Sequence, residues 1–286
     1  MNKEELSNRQ IDRMIDLALA EDSGCGDITS RAIIPPQQQV KAYIVAKQDG
    51  VLAGVDVAGL VFHKVEPSLE VSIDIPDGAE IKAGDKILGV GGSAAPILMA
   101  ERVALNLLSR LSGIATETAR YTAEVKGTKA VIMDTRKTMP AMRLADKYAV
   151  RMGGGQNHRM HLGDGILIKD NHIEMLQRQG MKLNDIIARA KQNAPSGTKI
   201  EIEVDTIPQA LEVAKAGADI VMLDNMPPED MRQAVKLVAG KVKLEASGGI
   251  NLDNVRAVAM TGVDYISIGA ITHSVKAIDF SLEFAT

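Results

Sequence analysis

Between Asp134 and Ile173 the chain reads DTRKTMPAMRLADKYAVRMGGGQNHRMHLGDGILIKDNHI. Arg136, Lys137, Arg143, Lys147, Arg151, Arg159 and Lys169 fall in these forty residues, with His158, His161 and His172 among them. The whole chain is acidic, at net charge −4, so this cationic density is local. Short apolar runs alternate with polar ends: VIMD into TRK, YAVRM into GGG, ILI into KDNH. Buried strands have this pattern when each delivers a charged group to one rim of a sheet. Cations converging on one rim predict an anionic ligand.

Further along, Glu203 ends EIE and Asp224 ends VMLD, while ASGGI (246–250) and SIGAIT (267–272) carry glycine turns. Arginine forks match carboxylate or phosphate in pairs of hydrogen bonds. Gly248, Gly249 and Gly269 allow backbone N–H groups to approach phosphate oxygens closely. Glu203 and Asp224 suit Mg2+ or ribose hydroxyls, or else serve plain ion pairs. His158 is a possible further donor. Arg143 and Lys147 lie between the first two strands, where exposure is expected.

These residues need strand ends to hold them. Candidate strands fall at 130–135, 149–152, 165–169, 199–204, 219–223, 242–246 and 264–268, separated in the second half by helical segments such as IPQALEVAKAG and PEDMRQAVKLVAG. The last four strands start 20 to 23 residues apart. Such repeats predict an α/β fold: an incomplete β/α barrel of seven strands, with its site at the C-terminal strand ends. Glycine loops after the last two strands are the usual place for a barrel phosphate cradle. In strand 199–204, Ile200, Ile202 and Val204 share one face, and Glu201 and Glu203 the other.

Before the barrel, residues 7–21 read as an amphipathic helix with Ser7 as N-cap and Ile11, Met14, Ile15, Ala18 and Leu19 on one face. Asp27 reads as a backbone cap in the loop that follows. Val40 to Val90 alternates in short strands with PDG and AGD turns, a small β layer. Ala95 to Val125 is helical, with Arg102, Asn106 and Ser109 as a polar line on an apolar rod. Aromatics are only 2% and Trp is absent, so stacking platforms for nucleic-acid bases are scarce and no nucleic-acid partner is expected. The single cysteine, Cys25, leaves no internal disulfide and fits a reducing compartment. Neither a signal-type N-terminus nor an apolar run of membrane-spanning length occurs, so no membrane association and a cytoplasmic location are expected.

The strings DTRKTMPAMR, GGGQNHR, LIKDNHI, EIEVDT, MLDNM, LEASGGI and GVDYISIGAITHS, with ALAEDSGCGDITS and ERVALNLLSRLSGIAT, resemble the quinolinate phosphoribosyltransferase family over nearly the whole chain. The chain lacks the Asp-Asp motif of type I phosphoribosyltransferases, as that family does. Met139 and Ala141 stand where the family more often has Thr and Gly, and Gln156 where Arg is frequent. The resemblance implies an N-terminal open-faced α/β sandwich over residues 1–112, joined by a tail from about 275 to 286, and a barrel over 113–274. It also implies a homodimer, or a hexamer built as a trimer of dimers, with Arg102 reaching the neighbouring subunit's site.

Carried over by motif, quinolinate is expected to meet Arg102, Thr135, Arg136, His158, Arg159 and Lys169. Phosphoribosyl pyrophosphate is expected to meet Lys137, Glu203, Asp224, Ser247, Gly248, Gly249, Ile268, Gly269 and Ala270. Lys137, Lys169, Glu203 and Asp224 are the catalytic candidates. Mg2+ is expected at Glu203 and Asp224, directly or through water or substrate, with no organic cofactor. The implied activity is a decarboxylating pentosyltransferase of NAD biosynthesis. Competing readings are a barrel lyase using Lys169 covalently, a non-catalytic nucleotide sensor and a structural assembly protein. In the transferase reading Lys169 is an electrostatic clamp.

Overall fold

The computed structural model describes residues 9–285, so the expected cap at Ser7 lies outside the described residues. In chain order the first elements are α1 (Arg9–Ser23), α2 (Ile28–Ile33), β1 (Gln39–Ala46), β2 (Gly50–Val51), α3 (Val55–Val65), β3 (Glu70–Ile73), β4 (Glu80–Ile81), β5 (Lys86–Ser93) and α4 (Ala94–Glu124). The later ones are β6 (Val131–Met133), α5 (Arg143–Met152), β7 (Ile166–Ile168), α6 (Asp170–Gln177), α7 (Leu183–Asn193), β8 (Ile200–Val204), α8 (Ile207–Ala216), β9 (Ile220–Asp224), α9 (Pro228–Val238), β10 (Lys243–Ser247), α10 (Val255–Ala259), β11 (Tyr265–Ser267), α11 (Ala270–His273) and β12 (Phe280–Phe284). No helix among the described residues is long and apolar enough to cross a membrane.

Two compact units emerge. The first holds the described residues up to Ala119 with Thr138–Gly154 and the stretch from Ile271 onward; the second holds Arg120–Lys137 and Gly155–Ala270. α4 runs as one continuous helix through the expected boundary at 112/113.

In the first unit a four-stranded antiparallel sheet runs in the order β12-β1-β5-β3. The C-terminal strand thus pairs beside β1, with Ala46 opposite Phe280. Ile11 and Ile15 bury the apolar face of α1, and the Asp27 carboxylate accepts the Ser30 N–H at 2.9 Å as the cap of α2. Arg110 on α4 grips the fully buried Asp146 of α5 through two bonds of 2.9 and 2.8 Å. That same carboxylate accepts the Met139 N–H at 3.1 Å, which anchors the 138–142 turn. In that turn Ala141 has φ +63°, a left-handed conformation that costs a Cβ-bearing residue about 1 kcal/mol or more. Ala141→Gly is expected to raise unfolding stability by about 0.5–1 kcal/mol. An unchanged urea midpoint would count against strain at this position.

The second unit is a six-stranded parallel sheet ordered β6-β11-β10-β9-β8-β7. The expected strand at 149–152 is instead the end of α5. A short apolar run does not distinguish strand from helix, and residues Ala145 to Val150 are all buried on that helix. Lys147, expected to be exposed, is fully buried there. In the missing strand's place, Gln156 alone bridges Met133. Its N–H donates to the Ile132 carbonyl at 2.9 Å, and its carbonyl accepts the Asp134 N–H at 3.2 Å. These are backbone bonds, so Gln in place of Arg leaves this pairing unaffected.

Local chemistry sets the β/α repeat. Thr206 and Gln209 form a reciprocal cap at the start of α8, and Gly217 ends it at φ +84°. Inward-facing residues alternate along the strands: Glu201 and Glu203 on β8, Met222 and Asp224 on β9, Glu245 and Ser247 on β10.

Candidate active site

At the C-terminal strand ends lies a cavity of about 660 Å3. Thr135, Arg136, Lys137, His158, Arg159, Lys169, Glu203, Asp224, Ser247, Gly248 and Gly249 all line it, with Leu167, Asp170, Met222, Asn225 and Ser267. Residues that are distant in sequence thus share one wall, as the spacing of strand ends predicts.

Asp134 is the local organiser. Its side chain is fully buried just beyond β6. One carboxylate oxygen accepts the Asn157 amide at 2.6 Å, and the other accepts the His158 N–H at 2.9 Å. This fastens the 157–158 segment against the end of β6 and brings Arg159 near Arg136. Arg159 also donates to the Gly165 carbonyl at 3.1 Å. Burial first, and then the neighbouring Arg136, holds the Arg159 guanidinium below its ordinary pKa, while Glu201, Glu203 and Asp164 act in the opposite sense. Two guanidinium groups drawn together at a partly dry surface make a strong anion site.

Lys169 precedes α6, where the His172 ring accepts its N–H at 3.0 Å. Its Nζ lies 2.8 Å from Glu203 Oε1. An ammonium in an ion pair has no lone pair to offer, which favours a clamp over a nucleophile.

The glycine turn after β10 is sterically required. Gly248 has φ +88°, and a Cβ there would lie 2.2 Å from Asn225 Oδ1 and 2.9 Å from its backbone nitrogen. Asn225 is itself held by its N–H to the Ser247 carbonyl at 2.9 Å, and its amide donates to Asp224 at 2.9 Å. Gly249, at φ +63°, faces open space. Asp224 and the turn are therefore one assembly.

Some expected residues stand apart. Ile268, Gly269 and Ala270 are not among the lining residues; Ile268 is 2% exposed and donates its N–H to the Met133 carbonyl at 2.9 Å. The wall contribution of β11 is Ser267. Arg102 belongs to α4 in the first unit, with a side chain 61% exposed. His158 lines the cavity, but its ring nitrogens face other groups. Nδ1 accepts the Arg159 N–H at 2.8 Å, and Nε2 lies 3.1 Å from Glu201 Oε2 and 3.6 Å from Glu245 Oε1. Those two buried glutamates were not among the expected site residues. The signal was present: each is a charge inside an apolar strand, two residues before a rim residue on the same face.

Residues 27–112 match the family model for the quinolinate phosphoribosyl transferase N-terminal domain, and residues 114–283 match that for its C-terminal domain. The chain is 41% identical to a probable nicotinate-nucleotide pyrophosphorylase (carboxylating) of Bacillus subtilis, over 97% of this chain and 94% of that one. It is 43% identical to a quinolinate phosphoribosyltransferase (decarboxylating) of Nicotiana glauca, over 96% of this chain and 82% of the relative. The crystal structure of NadC from Streptococcus pyogenes superposes with a TM-score of 0.91 at 40% identity, covering 97% of this chain and 98% of that one.

Proposed function

The chain belongs to the quinolinate phosphoribosyltransferase family, and from that premise we propose that it converts quinolinate and 5-phosphoribosyl 1-pyrophosphate to nicotinate mononucleotide, CO2 and pyrophosphate in NAD biosynthesis. The carrying observation is one cavity that joins Arg136, Lys137, Arg159 and Lys169 to a glycine turn and two carboxylates. Quinolinate brings two carboxylates, and its co-substrate brings phosphate and pyrophosphate. So much negative charge in one pocket needs those cations.

Arg136, Arg159 and Lys169 grip the diacid, with Thr135 beside them and the His158 ring as part of the floor. Taking up a quinolinate carboxylate draws Lys169 away from Glu203. The Ser247–Gly249 turn holds phosphate oxygens of the second substrate, together with the Ile268–Ala270 loop that follows β11. Lys137 balances charge on the departing pyrophosphate, and Glu203 and Asp224 favour the cationic, oxocarbenium-like ribose. The ring nitrogen then attacks the anomeric carbon and becomes a pyridinium. The bond from C2 to its carboxylate breaks, and its electron pair stays on C2 next to that cation. CO2 leaves and C2 takes a proton. The substrate supplies its own electron sink, so the chemistry needs no organic cofactor.

Glu203 and Asp224 present hard oxygen donors on the same wall as the glycine turn, a set that fits Mg2+ shared with phosphate oxygens. When bound, the ion neutralises charge on the leaving pyrophosphate. The working form is a cytoplasmic homodimer or trimer of dimers in which Arg102 serves the neighbouring subunit's site.

The test is release of labelled CO2 from carboxyl-labelled quinolinate together with pyrophosphate, each dependent on both substrates. Release of neither by the purified protein would overturn the assignment. Borohydride is expected to trap no adduct at Lys169, whereas a trapped quinolinate adduct would favour the covalent lyase.

A further inference from the structure

Behind the cationic wall a second cavity of about 290 Å3 opens in the gap between β6 and β7, and His158 and Arg159 line both cavities. Glu201 and Glu245 face this inner space, at 5% and 1% exposure. With His158 they bring three ligating atoms within 4.8 Å of one another. Nδ1 of His158 accepts the neighbouring Arg159 N–H at 2.8 Å. The other ring nitrogen, Nε2, points to the glutamates, 3.1 Å from Glu201 Oε2 and 3.6 Å from Glu245 Oε1. That one nitrogen serves two buried carboxylates. Glu201 Oε1, Glu245 Oε1 and Ser267 Oγ are each buried with no partner at hydrogen-bonding geometry.

Two ionised carboxylates so close in a dry interior repel strongly, and one imidazole cannot cancel both charges. A proton on one of them removes the repulsion and supplies the missing donor. We propose that Glu245 is a positioning residue of the quinolinate site: as a neutral carboxyl beneath His158 it limits the negative charge that the buried glutamate pair places under Arg136 and Arg159. This rests on the activity proposed above.

The electrostatics agree. Burial first, and then the charge of Glu201, pushes the Glu245 carboxyl up to about 8, against the opposing charge of His158. The other charged or titratable groups lining the inner cavity are Arg159, Asp164, Lys199 and Tyr265; β6 and β9 contribute only Met133 and Ile220. Below pH 8 Glu245 is neutral and the cations face the diacid at full strength. Above it the charge of Glu245 is added behind them.

The test is KM for quinolinate from pH 7 to 9.5, with KM for phosphoribosyl pyrophosphate measured in parallel. The wild type is expected to lose affinity for quinolinate about tenfold across pH 8, by the repulsion of one added charge, with no matching step for the second substrate. Glu245→Gln, which cannot ionise, is expected to give a quinolinate KM independent of pH over this range. A flat wild-type profile, or a Gln variant that keeps the rise, would overturn the role of Glu245 and leave the activity standing. A wild type that never turns over quinolinate would sink both. The wild-type measurement needs no variant to fold, and a purely structural glutamate would move stability without moving this profile.

Discussion

Lys137→Ala is expected to lower kcat by about 10²–10³-fold while leaving the fold intact. Lys137 is exposed on the cavity wall just beyond β6. It is the cation proposed to meet charge that grows as pyrophosphate departs, and removing one preorganised partner of a developing anion typically costs this much. Because the interaction matures in the transition state, kcat and kcat/KM should fall together. Thermal unfolding should move little, since substitution of an exposed lysine removes no core contact. Steady-state kinetics beside circular dichroism would check both halves. A variant with unchanged kcat and raised KM would reassign Lys137 to ground-state binding.

Gly248→Ala is the second large effect, and it reaches the phosphate side. An added Cβ would run into Asn225, including its backbone nitrogen, so the clash cannot be relieved by rotating a side chain alone. The turn has to move, and its positive φ also penalises alanine. The expected cost is about 1–3 kcal/mol of stability. Loss of one or two charge-assisted bonds from the turn to phosphate is expected to raise KM for phosphoribosyl pyrophosphate about 10- to 100-fold. Asn225 shares a hydrogen bond with Asp224, so displacement of the turn should also disturb that carboxylate and lower kcat. Gly249→Ala is the internal comparison: it meets no atom within 4 Å, so it isolates the backbone penalty from the clash. Equal KM effects in the two variants would show that the Asn225 contact is immaterial.

Much of this molecule was legible in the linear chain. Strand-helix repeats of nearly constant length announced a parallel barrel, because each buried strand must be followed by a crossover to the next. Once strands are parallel, their C-terminal ends share one face. That is why Arg136, Arg159, Lys169, Glu203, Asp224 and Gly248 line one cavity although 112 positions separate the first from the last. The Asp27 cap was readable for the same reason: its partner is only three residues away.

What remained hidden depended on groups meeting across long separations. The run YAVRM is compatible with strand or helix, and only packing made it the buried end of α5, leaving Gln156 to bridge Met133 by itself. Asp134 looked like one polar strand end among several; contact with Asn157 and His158 made it the organiser. The direction of the His158 ring depended on a neighbour's N–H on one side and two buried glutamates on the other. Periodicity along the chain determines which face a residue occupies. Which charges then meet, and where the protons between them lie, is decided only when strands far apart in sequence close around a common interior that excludes water.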